Sequence, residues 1–291
     1  MNKKKKNILL VIIGSSSILT ITFFMVILIC VLMLFDFFGG GITKEKVESN
    51  AEFADSYLSS VNSYLKDGYV PLQRILYFYT EDSSLTFDTL YKINQNSSEK
   101  KTSEISKVCL DEKVKKMSAC SDETINKNKD YLVVTTPHFN FPLDDSYIVT
   151  SFFNEERVVY DTPNYHNGWD LSAPEKTPVY SVCSGIVYKV DYTQNENIPY
   201  DQSGNSGYGN SIVIKCDEDY PDTYYVTYGH LYPKSSKVKV GDKVNHWTKI
   251  ASVGTTGYST GNHLHYQVND KDWNLLDGMQ FIDFTLKRSK K

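Results

Sequence analysis

The sequence has no excess of positive charge, no Cys-x-x-Cys pair and no G-K-[S/T] ending on its glycine clusters. Its formal net charge of -4 at pH 7 gives no reason to expect a nucleic-acid partner. Without closely spaced cysteines, a zinc site built from thiolates is not expected. The glycines at 204–209 and 254–261 are interpreted as tight turns, since the phosphate-loop ending is missing. These absences exclude several common function classes.

Charged residues are also missing from a long stretch near the start of the chain. Residues 7–35 carry none, and they follow four lysines at positions 3–6. About 20 apolar residues span a bilayer, whereas the apolar core of a signal peptide has about 7 to 15. Because Asp36 to Gly41 offers no small-x-small cleavage site, we predict a basic cytoplasmic N-terminus at 1–6 and an uncleaved transmembrane anchor at 7–36. Lysines favour the cytoplasmic side, so the rest of this single-pass protein is expected outside the cell membrane.

Histidine is scarce and unevenly placed. Five of the six histidines lie between His166 and His265, and Asp170 lies among them. A catalytic zinc takes three protein ligands and keeps a fourth position for water, so two histidines and one aspartate satisfy the count. A lone histidine is more often a hydrogen-bonded structural residue. The combination therefore indicates a metal site where no single histidine would.

The two histidines near the end of this interval have the spacing of neighbours on a β-strand. The run at 264–268 predicts such a strand. On it His263 and His265 project to the same face, while Leu264 points the other way into a core.

The other two ligand-type residues, His166 and Asp170, are four positions apart, which would suit one face of a helix. The turn pair Asn167-Gly168 between them argues against a helix. We therefore expect His166 on a loop and Asp170 at the entry to a strand.

A series of short motifs occupies the interval from about Ile148 to Ile282, a little under half of the chain. In order they are Val149-Thr150-Ser151-Phe152, His166-Asn167-Gly168-Trp169-Asp170-Leu171, Thr177-Pro178-Val179-Tyr180, Ser184-Gly185-Ile186-Val187, Gly207-Tyr208-Gly209-Asn210, Tyr228-Gly229-His230-Leu231, Val240-Gly241-Asp242-Lys243-Val244, Val253-Gly254-Thr255-Thr256-Gly257 and Ser259-Thr260-Gly261-Asn262-His263-Leu264-His265. This order resembles the catalytic domain of the lysostaphin and LytM type of zinc metallopeptidases, peptidase family M23. Asn262 departs from it, standing where the family often has proline, and Asn245-His246-Trp247 replace the usual lysine, small residue and glycine.

The resemblance implies a role for each residue of the cluster. His166, Asp170 and His265 would hold Zn2+, and His230 and His263 would be the catalytic histidines. Zinc lowers the pKa of a bound water toward about 7 and polarises the scissile carbonyl. One histidine would take the proton of the water, and the other would stabilise the oxyanion or protonate the leaving amine. Both assignments are open.

A tyrosine near the site could assist the oxyanion, and the candidates are Tyr160 and Tyr165. The segment at 142–285 alternates short β-branched and aromatic runs with turns, which is typical of a mainly antiparallel β domain. The strongest runs are Val179–Val190, Ser211–Lys215, Thr223–Tyr228 and Ile250–Val253. A basic tail follows at 286–291.

The region at 42–140 is polar, and its role is open. Apolar residues at helical spacing predict helices at Ala51–Tyr64 and Leu72–Phe78, packed as a small stalk. Ser, Asn and Lys dominate 94–107, which indicates a loop.

The cysteines are consistent with an exported domain. Cys109 and Cys120 could close a short loop outside the membrane. Cys183 and Cys216 fall on predicted strands, where a disulfide and two buried thiols are both open.

Together these patterns lead to the hypothesis of a membrane-anchored zinc endopeptidase that cuts peptide cross-links or stem peptides of bacterial peptidoglycan. The substrate class follows from the resemblance. The alternative is a non-catalytic M23-like domain that binds the wall or activates another hydrolase, in an envelope-spanning assembly for secretion or conjugation. All five metal-binding and catalytic residue types are present, which favours the enzyme. The bond that is cut, Gly-Gly or D-Ala to a diamino acid, is open.

Overall fold

A computed structural model describes the chain at residues 44–79, 81–82, 84–96, 108–128, 138–144, 146–159, 162–200, 207–216, 222–284 and 286. It divides the chain into two units, Met1–Ala51 and Glu52–Lys291. The predicted anchor at 7–36 lies outside the described residues. Among the helices that the structure does describe, none has the length and apolar character needed to cross a membrane.

The first described elements are helices. They are α1 (Lys44–Tyr64), α2 (Leu72–Tyr79), α3 (Phe87–Asn96) and α4 (Asp122–Asn128), with 3-10 turns at Leu65–Asp67, Ser118–Cys120 and Gly278–Phe281. Tyr57 and Val61 of α1 are fully buried, as expected for an apolar stripe at helical spacing. Both helices predicted from the sequence pattern in this region are confirmed.

The rest of the described chain is mainly β. The strands are β1 (Ile148–Ser151), β2 (Glu156–Val159), β3 (Thr162–Tyr165), β4 (Trp169–Ser172), β5 (Pro178–Tyr180), β6 (Gly185–Asp191), β7 (Ser211–Cys216), β8 (Tyr224–Gly229), β9 (Lys243–Val244), β10 (Lys249–Ser252), β11 (His263–Asn269) and β12 (Leu275–Leu276). The main sheet has the order β1-β4-β11-β8-β7-β6-β9, with β12 paired to β11. Every pairing between these strands is antiparallel, which confirms the predicted antiparallel β domain.

Strand β11 shows why the sheet has one apolar and one polar face at this point. Its side chains alternate, so Leu264, Tyr266 and Val268 are fully buried in the core. On the opposite face lie His263, His265 and the polar residues that follow them at the same spacing. One face of β11 therefore carries a row of polar side chains, and this row lies beside strand β4.

The helical residues of the second unit pack directly on the edge of this sheet. The Asn62 side chain donates to the backbone oxygen of Val149 and accepts from its backbone nitrogen, both at 2.9 Å. An amide that bonds in this way occupies the place of a further strand, which leaves less of the β1 edge open. The ring of Tyr57 meets that of Phe152 edge to face at 5.0 Å.

Two disulfides join residues of this unit. Cys109 is bonded to Cys120 in the helical region, and Cys183 is bonded to Cys216 within the β region. Of the two arrangements open for the second pair, the structure has the disulfide.

Candidate metal centre

The centre is built where strands β4 and β11 lie side by side. In the antiparallel register His265 stands opposite Asp170. His166 precedes β4 on a loop after β3, and Asp170 is the second residue of β4, so the expected positions of both residues are confirmed. His166, Asp170 and His265 are buried, and one ligand atom from each lies within 4.8 Å of the others.

The three atoms nearest one another form an almost equilateral triangle. His166 Nε2 lies 3.1 Å from Asp170 Oδ1 and 3.2 Å from His265 Nδ1, and the distance from His265 Nδ1 to Asp170 Oδ1 is 3.0 Å. Ligands bound to zinc at 2.0–2.1 Å with tetrahedral angles are separated from one another by about 3.3 Å. The observed distances come close to that separation.

The hydrogen bonds at the far side of each ring show which nitrogen carries the proton. His166 Nδ1 lies 3.1 Å from the backbone oxygen of Phe152, which can only accept, so Nδ1 is the donor. His265 Nε2 donates in the same way to Gln267 Oε1 at 3.2 Å. When the single proton of each neutral imidazole is on this far nitrogen, His166 Nε2 and His265 Nδ1 each present a lone pair toward Asp170.

In that state two lone pairs and a carboxylate oxygen face one another with no proton between them. Buried acceptors without a donor are unfavourable, because each loses its bonds to water and gains none. A cation at their centre removes the conflict, and two imidazoles with one carboxylate are a donor set that zinc prefers. The residues present fit a zinc ion, which His166, Asp170 and His265 would hold.

Charge and burial around the triangle favour this state. Asp170 is buried, and burial by itself works against ionisation of its carboxyl, so a positive charge beside it stabilises the carboxylate. Arg157 Nη1 donates to the second oxygen, Oδ2, at 3.1 Å, which orients the carboxylate. Burial lowers the pKa of His166 to about 4, so that imidazole is neutral near pH 7.

A glycine lets the two strands come this close. A Cβ atom at Gly168 would lie 2.4 Å from the backbone oxygen of Tyr266 on β11. Any larger residue would push the loop that carries His166 away from β11. The turn pair that argued against a helix here therefore also serves the site.

His230 and His263 lie beside the triangle. Their ring centres are 4.5 Å apart, and that of His230 is 5.9 Å from that of His265. His230 Nδ1 donates to the backbone oxygen of Thr256 at 2.7 Å, and His263 Nδ1 donates to that of Gly261 at 2.8 Å. Both rings thus carry a lone pair on Nε2, and His263 Nε2 is 3.6 Å from Asp170 Oδ1.

The two rings differ in their exposure. His230, which has a backbone φ of 57°, is buried, and burial lowers its pKa well below the usual value. His263 is partly exposed. Each can accept a proton at Nε2, and the five residues singled out in the sequence are all brought together here.

Other residues of the site were not identified from the sequence. Gln267 and Asn269 continue the alternation of His263 and His265 along β11, so the same period of two places them on the polar face. Tyr208 donates from its hydroxyl to Gln267 Oε1 at 2.7 Å, and its ring centre is 5.4 Å from that of His265.

The two tyrosines proposed for the oxyanion are not brought to the triangle by any described contact. Tyr165 is 54% exposed on β3, and Tyr160 lies outside the described residues. Tyr208 is the tyrosine that the structure places next to a ligand-type residue.

Comparison with known proteins agrees with this geometry. Residues 164–277 match the model of peptidase family M23. Over 130 residues the chain is 34% identical to an uncharacterized metalloprotease of Buchnera aphidicola, covering 44% of this chain and 30% of that protein. It is also 34% identical over 130 residues to the peptidoglycan DD-endopeptidase ShyA of Vibrio cholerae, covering 44% of this chain and 26% of the relative. The chain spans less than a third of the length of these relatives.

Solved structures with similar chains include two peptidases. A zinc-containing peptidase from Vibrio cholerae is 35% identical, with 48% of this chain and 39% of that chain covered and a TM-score of 0.38. The catalytic domain of lysostaphin from Staphylococcus simulans is 26% identical, with 46% and 91% covered and a TM-score of 0.37.

Proposed function

We propose that the chain is a zinc metalloendopeptidase that cuts peptide cross-links of bacterial peptidoglycan, with its catalytic domain in the region of residues 164–277 that matches peptidase family M23. The observation that carries the proposal is the set of three buried ligand-type atoms, on His166, Asp170 and His265, that lie 3.0–3.2 Å from one another. His230 and His263 supply proton transfer beside them.

The residues of the site divide the work of peptide hydrolysis. A zinc ion bound there supplies Lewis acidity, which polarises the scissile carbonyl and makes a water more acidic. His230 and His263 present unprotonated Nε2 atoms toward the site. One accepts the proton of the attacking water, and the other stabilises the oxyanion or delivers a proton to the leaving amine. Arg157 holds the carboxylate of Asp170 in place.

The substrate is proposed from the curated relatives. ShyA and ShyC of Vibrio cholerae are named peptidoglycan DD-endopeptidases, and they are 34% and 33% identical to this chain over 130 and 121 residues. We therefore favour the cross-link between D-amino acids as the bond that is cut.

The site is proposed to lie outside the cytoplasm, on a single-pass membrane anchor. The two disulfides, Cys109–Cys120 and Cys183–Cys216, support this location because such bonds persist in oxidising compartments. A fusion of alkaline phosphatase to the C-terminus checks it. Activity of the fused enzyme in intact cells is expected, and an inactive fusion of normal abundance would contradict the placement.

The function is tested on the full chain purified in detergent. We expect about one zinc per chain and release of new amino groups from cross-linked peptidoglycan, with the cut bond identified by mass spectrometry of the products. His265→Ala is expected to lose zinc and activity, whereas His263→Ala keeps zinc and loses activity. His246→Ala, the same change at a histidine that contacts Asn140 instead, serves as the control and keeps both.

Either of two results would overturn the proposal. A wild-type chain without bound zinc would remove the metal centre. A zinc-loaded chain that cuts no peptidoglycan, from any source, would leave a wall-binding or hydrolase-activating domain as the better account.

A further inference from the structure

A chain of hydrogen bonds leads from a surface turn to the far side of His265. It begins at the backbone oxygen of Trp273, which can only accept. Asn269 Nδ2 donates to that oxygen at 2.9 Å, so the amide oxygen of Asn269 is turned toward Gln267. Gln267 Nε2 donates to Asn269 Oδ1 at 2.8 Å. The orientation of both amides therefore follows from one backbone carbonyl.

The orientation of the Gln267 amide also affects which ring nitrogen of His265 carries the proton. With its nitrogen engaged at Asn269, Gln267 presents Oε1 to His265 Nε2 at 3.2 Å and to the hydroxyl of Tyr208 at 2.7 Å. An amide oxygen accepts only, so Gln267 favours a proton on His265 Nε2, in competition with Asp170 Oδ1, which also accepts only and lies 3.0 Å from Nδ1. With the proton on Nε2, the lone pair on Nδ1 is free to bind a metal.

Because these residues are buried, one direction of hydrogen bonding along the series is strongly preferred. His265, Gln267 and Asn269 are 5%, 6% and 3% exposed, so water has little access to compensate a reversed amide. A reversed Gln267 would place its NH2 group against His265 and its oxygen against Asn269 Oδ1. That arrangement favours the proton on His265 Nδ1, where it would block the atom that faces the centre.

The turn that carries the first acceptor is itself held in place. The carboxylate of Asp270 accepts from the backbone nitrogens of Asp272 and Asn274, both at 2.9 Å. Trp273 has a backbone φ of 66°, an uncommon conformation for a bulky residue, and its ring stacks on that of Tyr225 at 4.3 Å. The turn between β11 and β12 thus holds the carbonyl of Trp273 at a definite position.

We propose that the turn between β11 and β12 acts through Asn269 and Gln267 to hold His265 in the tautomer that binds metal through Nδ1. Gln267 and Asn269 are positioning residues in this account, since neither is among the three ligand-type residues that face one another. The inference rests on the proposed function, because it concerns the same metal centre. It identifies the turn between β11 and β12 as the part of the fold that orients His265 before metal binds.

The test uses the full chain in detergent, labelled with 15N at histidine and freed of metal with a chelator. Long-range 1H–15N spectra distinguish a proton on Nδ1 from one on Nε2, and the His265 signals are identified by their loss in His265→Gln. We expect Nε2–H at His265 in the wild type. Tyr208→Phe serves as the control, because it removes a second donor to Gln267 Oε1 and leaves the amide orientation unchanged.

Two variants interrupt the chain at different links. Gln267→Leu removes the acceptor, and Asn269→Leu frees the Gln267 amide to turn. Both are expected to show a mixture of His265 tautomers. Their zinc affinity, measured by competition with a chromophoric chelator, is expected to fall about 10- to 100-fold, and that of Tyr208→Phe by less than about threefold.

The outcomes separate this inference from the proposed function. If both leucine variants keep Nε2–H and wild-type zinc affinity, the inference is overturned. If only one variant folds by circular dichroism, that variant decides. A wild-type chain that binds no zinc would defeat the proposed function, while the tautomers of the variants would still decide the inference.

Discussion

Two buried aspartates, Asp170 and Asp277, lie on opposite faces of strand β4. Their hydrogen-bond partners differ in kind. On one face, Asp277 accepts hydrogen bonds from the Tyr69 hydroxyl at 2.7 Å, Trp169 Nε1 at 2.9 Å and the backbone nitrogen of Met279 at 3.2 Å. On the other face, Asp170 Oδ1 meets the lone pairs of two imidazoles. Both carboxylates are 8% exposed, so burial alone does not distinguish them.

The difference lies in whether the partners donate or accept. A buried carboxylate surrounded by donors is satisfied and serves the fold, as at Asp277. At Asp170, Arg157 donates to Oδ2, but Oδ1 faces two imidazole nitrogens at 3.0 and 3.1 Å, where a bound cation would be stabilised. Neighbouring residues of one strand, Trp169 and Asp170, thus connect to a structural site and to a metal site.

The largest effect is expected when Asp170 is changed to Asn. The new NH2 group can donate to the lone pair of His166 or His265, so the conflict disappears without a metal. Zinc affinity should fall by more than about 100-fold, since even changes behind a ligand cost about 10- to 100-fold. Thermal unfolding of the metal-free protein should show stability equal to or above the wild type. Zinc affinity within tenfold of the wild type would show that Asp170 is not needed to hold the metal.

The same substitution at Asp277 should have the opposite pattern. An NH2 group at this position faces the hydroxyl of Tyr69, so a donor is left without an acceptor. We expect the free energy of unfolding, from urea denaturation, to fall by about 1–3 kcal/mol. Zinc should still bind at one per chain. Loss of zinc with unchanged stability would show that the two sites are not separate.

A smaller effect is expected when Asp277 loses only one of its hydrogen bonds. Tyr69→Phe removes one hydrogen bond to Asp277 while the ring of residue 69 still packs on Trp169, where the centres are 5.4 Å apart. The expected loss is about 1–2 kcal/mol of unfolding free energy. Tyr188→Phe, at a half-exposed tyrosine, is the control and should change little.

The smallest predicted effect concerns the contact between helix α1 and the sheet edge. Asn62→Ala removes two hydrogen bonds to Val149, but alanine is the better helix former. The net loss of unfolding free energy should therefore be about 0.5–1 kcal/mol. Ser63→Ala, in which the hydroxyl bonds only within its own helix at Ser59, provides the matched control for the same urea measurement. Equal effects of the two changes would argue against a stabilising edge contact.

The sequence predicted those parts of the site that depend on local residue patterns. The period of two placed His263 and His265 on one face of β11, and Asn167-Gly168 placed His166 on a loop. The same period applied two steps further would have found Gln267 and Asn269. Their amide orientations could not be predicted, because they depend on the backbone carbonyl of a turn.

Two other long-range contacts carried no signal in the sequence. Tyr69 meets Asp277 across 208 positions, and Asn62 meets Val149 across 87. Neither pairing follows from helix or strand periodicity, which describes only the face that a residue occupies. The helices at 51–64 and 72–78 were predicted, but their contact with the sheet was not. The anchor at 7–36 stays a prediction.

The most direct test of the account is a crystal structure of the protein grown with zinc, with anomalous scattering recorded at the zinc edge. We expect one peak about 2.0–2.1 Å from His166 Nε2, Asp170 Oδ1 and His265 Nδ1. No peak at this position, or a zinc ion held by His265 through Nε2, would contradict the claim that three buried acceptors converge to hold the metal.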